Sequence, residues 1–276
     1  MEKPDVQQLR TIADQLRLDV VKTIHTAGDG HPGPAMSIAE LISVLYYSVL
    51  RIDPAQPRLP QRDRFILSKG HACPILYAAL ARRGFFPYEE LAGLRTLESM
   101  LQGHPDMNKT PGVDATSGSL GNGVAIGLGM AMGLRRQGYD SRVYVAVGDG
   151  EQEEGVIWEA AMAAAAMKAD NLTVFADCNN YQSGGHVTDL SSLYPLLPKW
   201  EAFGWFCQEI DGHDPAAILC AIDRARAASG RPAFIALRTV KGKGVPYMEN
   251  NNAWHKRVPT EEEVAIACKA LGGERL

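Results

Sequence analysis

Between Val143 and Leu237 the chain alternates β-forming runs with helical ones, and that alternation limits the folds open to it. "VYVAV" (143–147), "LTVFA" (172–176), "WFCQEI" (205–210) and "AFIAL" (233–237) are short and rich in β-branched and aromatic residues, so they read as strands. Trp158 to Lys168 and Ala216 to Ala228 read as the intervening helices. Parallel neighbours need such crossovers, and the crossovers cover the sheet. The pattern therefore predicts an α/β fold with a mostly parallel sheet and helices on both faces. No internal repeat, low-complexity tract or interdomain linker interrupts the 276 residues, so one domain over 1–276 is expected.

Upstream, Leu9, Ile12, Ala13, Leu16, Val20 and Ile24 recur at helical spacing and predict a helix over Val6–His25, stopped by Gly28. Ser37 is placed to cap a second helix carrying Ile38, Leu41, Ile42 and Leu45. "RFIL" (64–67) reads as a strand, and Pro74 to Ala81 as a helix with proline in its first turn. Gln102 to Gly123 is rich in Gly, Pro, Asn, Asp and Ser and reads as loop. A loop that long inside a compact domain is usually functional.

Bulk properties exclude several classes. A formal net charge of −4 argues against a nucleic-acid partner. No apolar run reaches membrane length, so no membrane association is expected. The opening MEKPDVQQLR lacks an apolar signal core, so secretion is not expected. Cys73, Cys178, Cys207, Cys220 and Cys268 are scattered without metal-ligand spacing. They read as reduced thiols of a cytoplasmic protein.

Two acidic and amide-bearing turns follow consecutive strands: Gly148-Asp149-Gly150 after "VYVAV" and Asp177-Cys178-Asn179-Asn180 after "LTVFA". In open α/β sheets ligands bind beyond the carboxyl ends of the strands. If the two strands are neighbours, Asp149 and Asn179 face one crevice. A carboxylate and an amide carbonyl are hard oxygen donors suited to Mg²⁺ or Ca²⁺, and Mg²⁺ with so few protein ligands usually keeps phosphate oxygens. The N-terminus of the helix after Gly150 favours an anion in the same place. The pair then reads as a Mg²⁺–diphosphate clamp. Taken singly, Gly-Asp-Gly is a tight turn and Asn-Asn a helix cap.

Gly-Asp-Gly, about thirty residues, then Asn is the pattern of thiamine diphosphate enzymes. "GDGEQEEGVIWEAAMAAAAMKADNL" resembles transketolase in particular. "GHPGPAMS", "LSKGHA", "GHPD", "SGSLGNG", "DGHD" and "KGKGVPYMENNNAWH" follow in that family's order over nearly the whole chain. The resemblance implies thiamine diphosphate and Mg²⁺ as cofactors, with Ca²⁺ or Mn²⁺ able to replace the metal. Asp149 and Asn179 would bind the metal by side chain and Tyr181 by its backbone carbonyl. His31, His104 and His255 would be catalytic, His104 contacting a donor hydroxyl. His71 and His255 would lie against the diphosphate, with Gly150 adding a backbone contact. Gly118, Ser119 and Leu120 would form the loop around the cofactor, Leu120 packing on its rings. Glu154 would lie at a dimer interface; the plainer reading of Glu154 and Glu159 is stabilisation of a helix N-terminus. His213 reads as a turn organiser, and His25 and His186 are given no role.

The resemblance also implies an incomplete enzyme. A full transketolase has a second domain that binds the aminopyrimidine and grips sugar phosphates, and the motifs here belong only to the diphosphate half. A partner chain, the pyrimidine-binding half, would complete a heterotetramer that moves a two-carbon ketol unit between sugar phosphates. The alternatives are the α-subunit of a 2-oxoacid dehydrogenase and a cofactor-binding subunit without catalysis, and a plain α/β domain without a thiamine site is the default. Three departures from the family stand out: Gly28-Asp29-Gly30 before His31, where a small hydroxyl residue is common; Gln182-Ser183-Gly184-Gly185, where an Ile-Asp pair is frequent; and Lys256-Arg257 after His255, expected to be solvated rather than to greet an anionic substrate.

Overall fold

The computed structural model describes residues 3–191 and 193–273. The elements in chain order are α1 (Val6–Ala27), α2 (Pro32–Met36), α3 (Ala39–Val44), β1 (Arg64–Leu67), α4 (Cys73–Arg82), α5 (Asn122–Arg136), β2 (Val143–Gly148), α6 (Gly155–Ala166), β3 (Leu172–Cys178), β4 (Tyr181–Gln182), β5 (Gly185–His186), α7 (Val187–Leu190), α8 (Leu197–Ala202), β6 (Phe206–Asp211), α9 (Pro215–Ala227), β7 (Ala233–Arg238) and α10 (Glu261–Ala270). A five-stranded sheet runs β1-β2-β3-β7-β6, every neighbouring pair parallel, and β4 and β5 form a small hairpin beside it.

Period-two burial explains how helices come to cover both faces. Tyr144, Ala146, Phe175, Ile235 and Leu237 join the apolar cluster that α1, α3, α4, α9 and α10 cover. Their sequence neighbours Val145, Val147, Val174, Ala176 and Phe234 join the cluster under α5, α6 and α8. A strand buried on both faces is largely apolar, and β3 is buried throughout, with Thr173 and Asp177 as its polar residues. β6, at the edge, is only partly buried, which is why "WFCQEI" carries polar residues.

The long α1 shows how closely local sequence sets an element. Asp5 accepts from Gln8 N at 2.8 Å while Gln8 Oε1 accepts from Asp5 N at 2.8 Å, a reciprocal cap at its start. Gly28, at φ 68°, closes its end in the left-handed conformation that glycine tolerates. Leu9, Ala13, Leu16, Val20 and Ile24 form its buried stripe.

Two expectations are corrected. Ser37 does not cap a helix: its buried hydroxyl donates to Asp177 Oδ2 at 2.6 Å, and the helix after it is preceded by Ile38 with no side-chain cap. A buried carboxylate is the stronger acceptor, so the hydroxyl turns inward and the segment divides into α2 and α3. The helix expected over Trp158–Lys168 begins earlier, at Gly155, after a 3₁₀ turn over Gly150–Glu153.

Candidate active site

The register of β2 and β3 pairs Gly148 with Asp177, so the two turns leave the sheet at one level. Beyond them opens a cavity of about 930 Å³ whose lining includes Asp149, Gly150, Asn179, Tyr181, His31, His71, His104, His255, Gly118 and Leu120. Residues from seven separate places in the chain thus meet at the carboxyl ends of parallel strands. Ser119 is the exception among the residues singled out. It does not line the cavity; its Oγ accepts from Asn122 Nδ2 at 2.8 Å, since the N-terminal turn of α5 offers it a local partner.

The floor is polar, buried and heavily bonded. Asp149 Oδ1 accepts from Tyr194 OH at 2.7 Å and Oδ2 from Asn180 N at 2.5 Å. These donors are neutral, and burial pushes the carboxyl up to about 7. Asn179 Oδ1 accepts from Tyr181 N at 3.0 Å and keeps a second lone pair. Among the described residues no group of three or more His, Cys, Asp or Glu is arranged for a metal. A site of one carboxylate, one amide oxygen and one backbone carbonyl is instead the donor set that a hard cation takes together with a diphosphate.

Asp177 organises the same floor, a role its residue type alone did not reveal. It accepts from Ser37 Oγ, from Lys69 Nζ at 2.5 Å, from Asn179 Nδ2 at 2.9 Å and from Thr239 Oγ1. Burial would raise its pKa, but Lys69 and the hydroxyls hold it below the ordinary value. Lys69 also donates to Pro34 O at 2.7 Å, tying α2 to the strand ends. Glu151 is a second hidden organiser. Its buried carboxylate accepts from Gly121 N at 2.8 Å, Gly148 N at 2.9 Å and the Ser68 hydroxyl, fastening the 118–121 loop to β2. Lys69 and Glu151 lie in motifs quoted above, "LSKGHA" and "GDGE"; a charged residue two or three positions beyond an apolar strand was the available signal.

The wall consists of histidines. His31, His71 and His255 form a triangle with ring centroids 5.3–5.6 Å apart. Burial first, and nearby positive charge second, lowers all three: His31 to about 4, His255 to about 3 and His71 to about 2. The rings are therefore neutral at pH 7. Lys241 Nζ donates to His255 Nδ1 at 2.9 Å, which leaves the proton of that ring on Nε2. Lys241 itself is lowered to about 8, by burial first. His31 Nδ1 is buried with no hydrogen-bond partner among the described residues. His104 is lowered by burial and then by Arg95.

The sequence matches the family "Transketolase, thiamine diphosphate binding domain" over residues 8–275. The chain belongs to that family. It is 43% identical over 270 residues to the 6-deoxy-6-sulfo-D-fructose transketolase subunit SqwG of Clostridium sp. (strain MSTE9), covering 98% of this chain and 97% of that one. It is 37% identical to an apulose-4-phosphate transketolase subunit of Phocaeicola vulgatus, covering 96% and 94%. Against the transketolase of Pongo abelii it is 38% identical, covering 92% of this chain but 41% of that one. The solved transketolase of Campylobacter jejuni superposes with a TM-score of 0.93 at 31% identity, over 99% of this chain and 44% of that one. The chain is thus a transketolase-family subunit, matched end to end by proteins themselves named as subunits and spanning less than half of the single-chain enzymes.

Other histidines of this transketolase domain behave as structure. His213 receives Val240 N–H on Nε2 at 2.9 Å and sets Nδ1 3.0 Å from Glu40 Oε2, joining the turn before α9 to α3 and the end of β7. It organises a turn, as expected. His25 bonds Pro259 O through Nδ1 at 2.8 Å, and the His186 Nδ1 lies 2.7 Å from Thr188 Oγ1. Arg257 is not simply solvated: its guanidinium lies 4.3 Å from the Trp254 ring centroid and 2.8 Å from Glu263 Oε1. Glu154 is exposed, precedes α6 and lines the cavity. Among the described residues no helix is long and apolar enough to cross a membrane.

Proposed function

We propose that this chain is the diphosphate-binding half of a two-chain, Mg²⁺-dependent transketolase. It would act with a pyrimidine-binding partner in a cytoplasmic heterotetramer of two chains of each kind. The reaction would transfer a two-carbon ketol unit from a ketose phosphate or related anionic ketose to an aldehyde. The observation that carries this reading is the meeting, in one cavity, of the Asp149–Asn179 floor with three neutral histidines. The end-to-end match to named transketolase subunits supports it.

Bound thiamine diphosphate supplies the electron sink for carbon–carbon cleavage. The protein's part is binding, orientation and proton handling. Asp149, Asn179 and the Tyr181 carbonyl would hold Mg²⁺, which would offset the charge that burial disfavours on Asp149. His71 and His255 would lie against the diphosphate, Gly150 would add a backbone contact, and Gly118, Ser119 and Leu120 would form the loop around the cofactor, with the Ser119 side chain turned to Asn122. His255 would offer its Nε2 proton to an oxygen, and the neutral His31 ring would accept one from a sugar hydroxyl. His104 binds a donor hydroxyl from the facing loop. Neutral imidazoles suit this work, since a ring already protonated at pH 7 has no free nitrogen to act as base.

Completion by a partner is tested by mixing. The purified chain and a purified pyrimidine-binding half, each alone and together, are assayed for ketol transfer with thiamine diphosphate and Mg²⁺. Activity is expected only in the mixture. Turnover by this chain alone would end the two-chain reading, and turnover of pyruvate with a lipoyl acceptor would move it to the 2-oxoacid dehydrogenases.

A further inference from the structure

Helix α4 begins at Cys73, directly after the turn Gly70–Ala72 that carries His71. Cys73 and Tyr77 stand four residues apart and so share one face of that helix. Both side chains are buried, and both reach the loop that runs into His104. Tyr77 OH donates to Gln102 O at 2.8 Å, and Cys73 Sγ to Gly103 O at 3.2 Å. One helix thus takes the two consecutive carbonyls just ahead of the histidine. Burial raises both groups, Cys73 to about 12, so each keeps the proton it donates.

The loop belongs to no strand or helix, so its backbone groups find partners one at a time. Met100 O accepts from Thr110 Oγ1 at 2.6 Å, Leu101 O from Arg95 N at 2.8 Å and Pro105 O from Ser117 N at 3.1 Å. Side chains therefore hold the carbonyls of Met100, Gln102 and Gly103, where a sheet would use a neighbouring strand. Gly103 is confined from another side as well: a Cβ there would come within 2.7 Å of Arg95 Cζ. The Gln102 carbonyl fixes the peptide plane before Gly103, and the Gly103 carbonyl fixes the plane after it. Between two fixed planes glycine has no freedom left to use, and the direction in which the chain enters His104 is set. The His104 ring lines the cavity and lies 3.5 Å from where a Cβ on Gly118 would stand. Without the hydroxyl and the thiol, two carbonyls would be left without donors, and the planes would turn to find others.

We propose that Tyr77 and Cys73 are positioning residues for the donor sugar: through the Gln102 and Gly103 carbonyls they set the angle at which His104 meets the sugar hydroxyl. The inference rests on the transketolase reading, which gives His104 that hydroxyl. It makes α4 the common support of two wall histidines, His71 on the turn before its first residue and His104 across its side. A hydrogen bond weakens steeply when its angle is lost, so a small rotation of the loop is enough to lose the sugar contact. The tyrosine hydroxyl is the stronger support, since a thiol is a weak donor.

The test is a double-mutant cycle in the chain reconstituted with its partner, thiamine diphosphate and Mg²⁺. The ketol source is fructose 6-phosphate or 6-deoxy-6-sulfofructose, whichever is turned over, with glyceraldehyde as acceptor. Tyr77→Phe removes one oxygen and should lower kcat/KM for the ketose about fivefold, through KM, the worth of one ordinary hydrogen bond. In a His104→Ala background the same change should cost less than about twofold, because the residue it acts through is gone. Equal losses in the two backgrounds, or no loss in either, overturn the proposal, since a purely structural tyrosine acts with or without His104. Cys73→Ala should cost about twofold and Cys73→Ser, which restores a donor, should recover it; equal losses in these two overturn the role of Cys73. A second readout needs no turnover. In the chain carrying ¹³C-labelled histidine, the His104 ring resonance, identified by its disappearance in His104→Ala, should move or split in Tyr77→Phe while that of His25 stays in place. An unmoved His104 resonance overturns the proposal. A complex that transfers no ketol unit counts against the transketolase reading, and the spectrum then decides whether Tyr77 orients His104.

Discussion

Asp149 and Asn179 stand at or just beyond the ends of β2 and β3, whereas His31, His71, His104 and His255 sit in turns and loops far apart in the chain. The two parts of the cavity are also held differently. On the floor each carboxylate has two or more named donors, and Asp177 has four. On the wall His255 has one bond to Lys241, and His31 Nδ1 has none. A floor side chain therefore works by fixing its neighbours, and its loss should appear in stability or affinity. A wall side chain has partners still to gain, and its loss should appear in rate.

The largest effect belongs to the wall. His255→Ala in the reconstituted complex should lower kcat by about 10²- to 10⁴-fold, the usual worth of a positioned acid or base. Its folding midpoint should move little, since the ring is only part-buried and has one hydrogen bond. A variant that folds normally and keeps full kcat would take His255 out of the mechanism and blur the contrast.

The matching floor experiment is Lys69→Met. It keeps the bulk of a side chain that is 2% exposed but leaves Asp177, 1% exposed, without its cation. Removing one partner of a buried pair typically costs about 3 to 5 kcal/mol. Urea denaturation of the isolated chain reads this directly. A loss under about 1 kcal/mol, the level of surface pairs, would mean that the hydroxyls of Ser37 and Thr239 suffice to hold Asp177.

Asp149→Ala probes the floor through affinity. Second-shell changes alone cost metal sites about tenfold or more, so loss of a charged ligand should weaken joint binding of thiamine diphosphate and Mg²⁺ by at least that factor. Titration calorimetry with the partner present checks it, and unchanged affinity would move the metal elsewhere.

The wall has a pH signature of its own. A histidine whose folded pKa is depressed binds its proton more readily in the unfolded chain. Its contribution is complete above about 6.5 and is lost as pH falls toward the folded value. His31, His255 and His71 lie at about 4, 3 and 2. Stability of the isolated chain should therefore fall between about pH 6.5 and 4, by roughly 1 kcal/mol per histidine one unit below the ordinary value. Denaturation midpoints of wild type and His71→Asn across that window test it; parallel curves would remove His71 as a source.

The same contrast explains what the sequence revealed. Alternation of "VYVAV" and "LTVFA" with helices places Asp149 and Asn179 together, because a parallel sheet aligns consecutive strand ends. It does not tell that Asp177, two residues before Asn179, carries four bonds, because that depends on Ser37, Lys69 and Thr239 arriving from distant segments. The glycine- and proline-flanked turns mark His31, His71 and His104 as candidates, but their roles were legible only by resemblance, since nothing local to "GHPG" or "NAWH" requires the rings to meet. Ser37 was misread for the same reason: local chemistry favours a cap, and a long-range carboxylate overrides it.

The smallest expected effect serves as the control for the wall. His25 is a part-buried histidine on α1 whose one side-chain hydrogen bond, from Nδ1 to Pro259 O, joins α1 to the segment leading into α10. It resembles His255 in having a single bond, but that bond is to a carbonyl within the scaffold, and the ring lies outside the cavity. His25→Ala should therefore cost about 1 kcal/mol of stability, the net worth of one hydrogen bond, and leave kcat in the reconstituted complex within about twofold, less than 0.5 kcal/mol of barrier. A tenfold fall in kcat at His25 would mean that turnover responds to any loosening of the α1–α10 contact, and the loss at His255→Ala would then lose its meaning as proton chemistry. A small change in kcat beside a measurable drop in stability keeps the two kinds of histidine apart: one whose hydrogen bond is already made within the fold, and one whose Nε2 proton is left for a substrate.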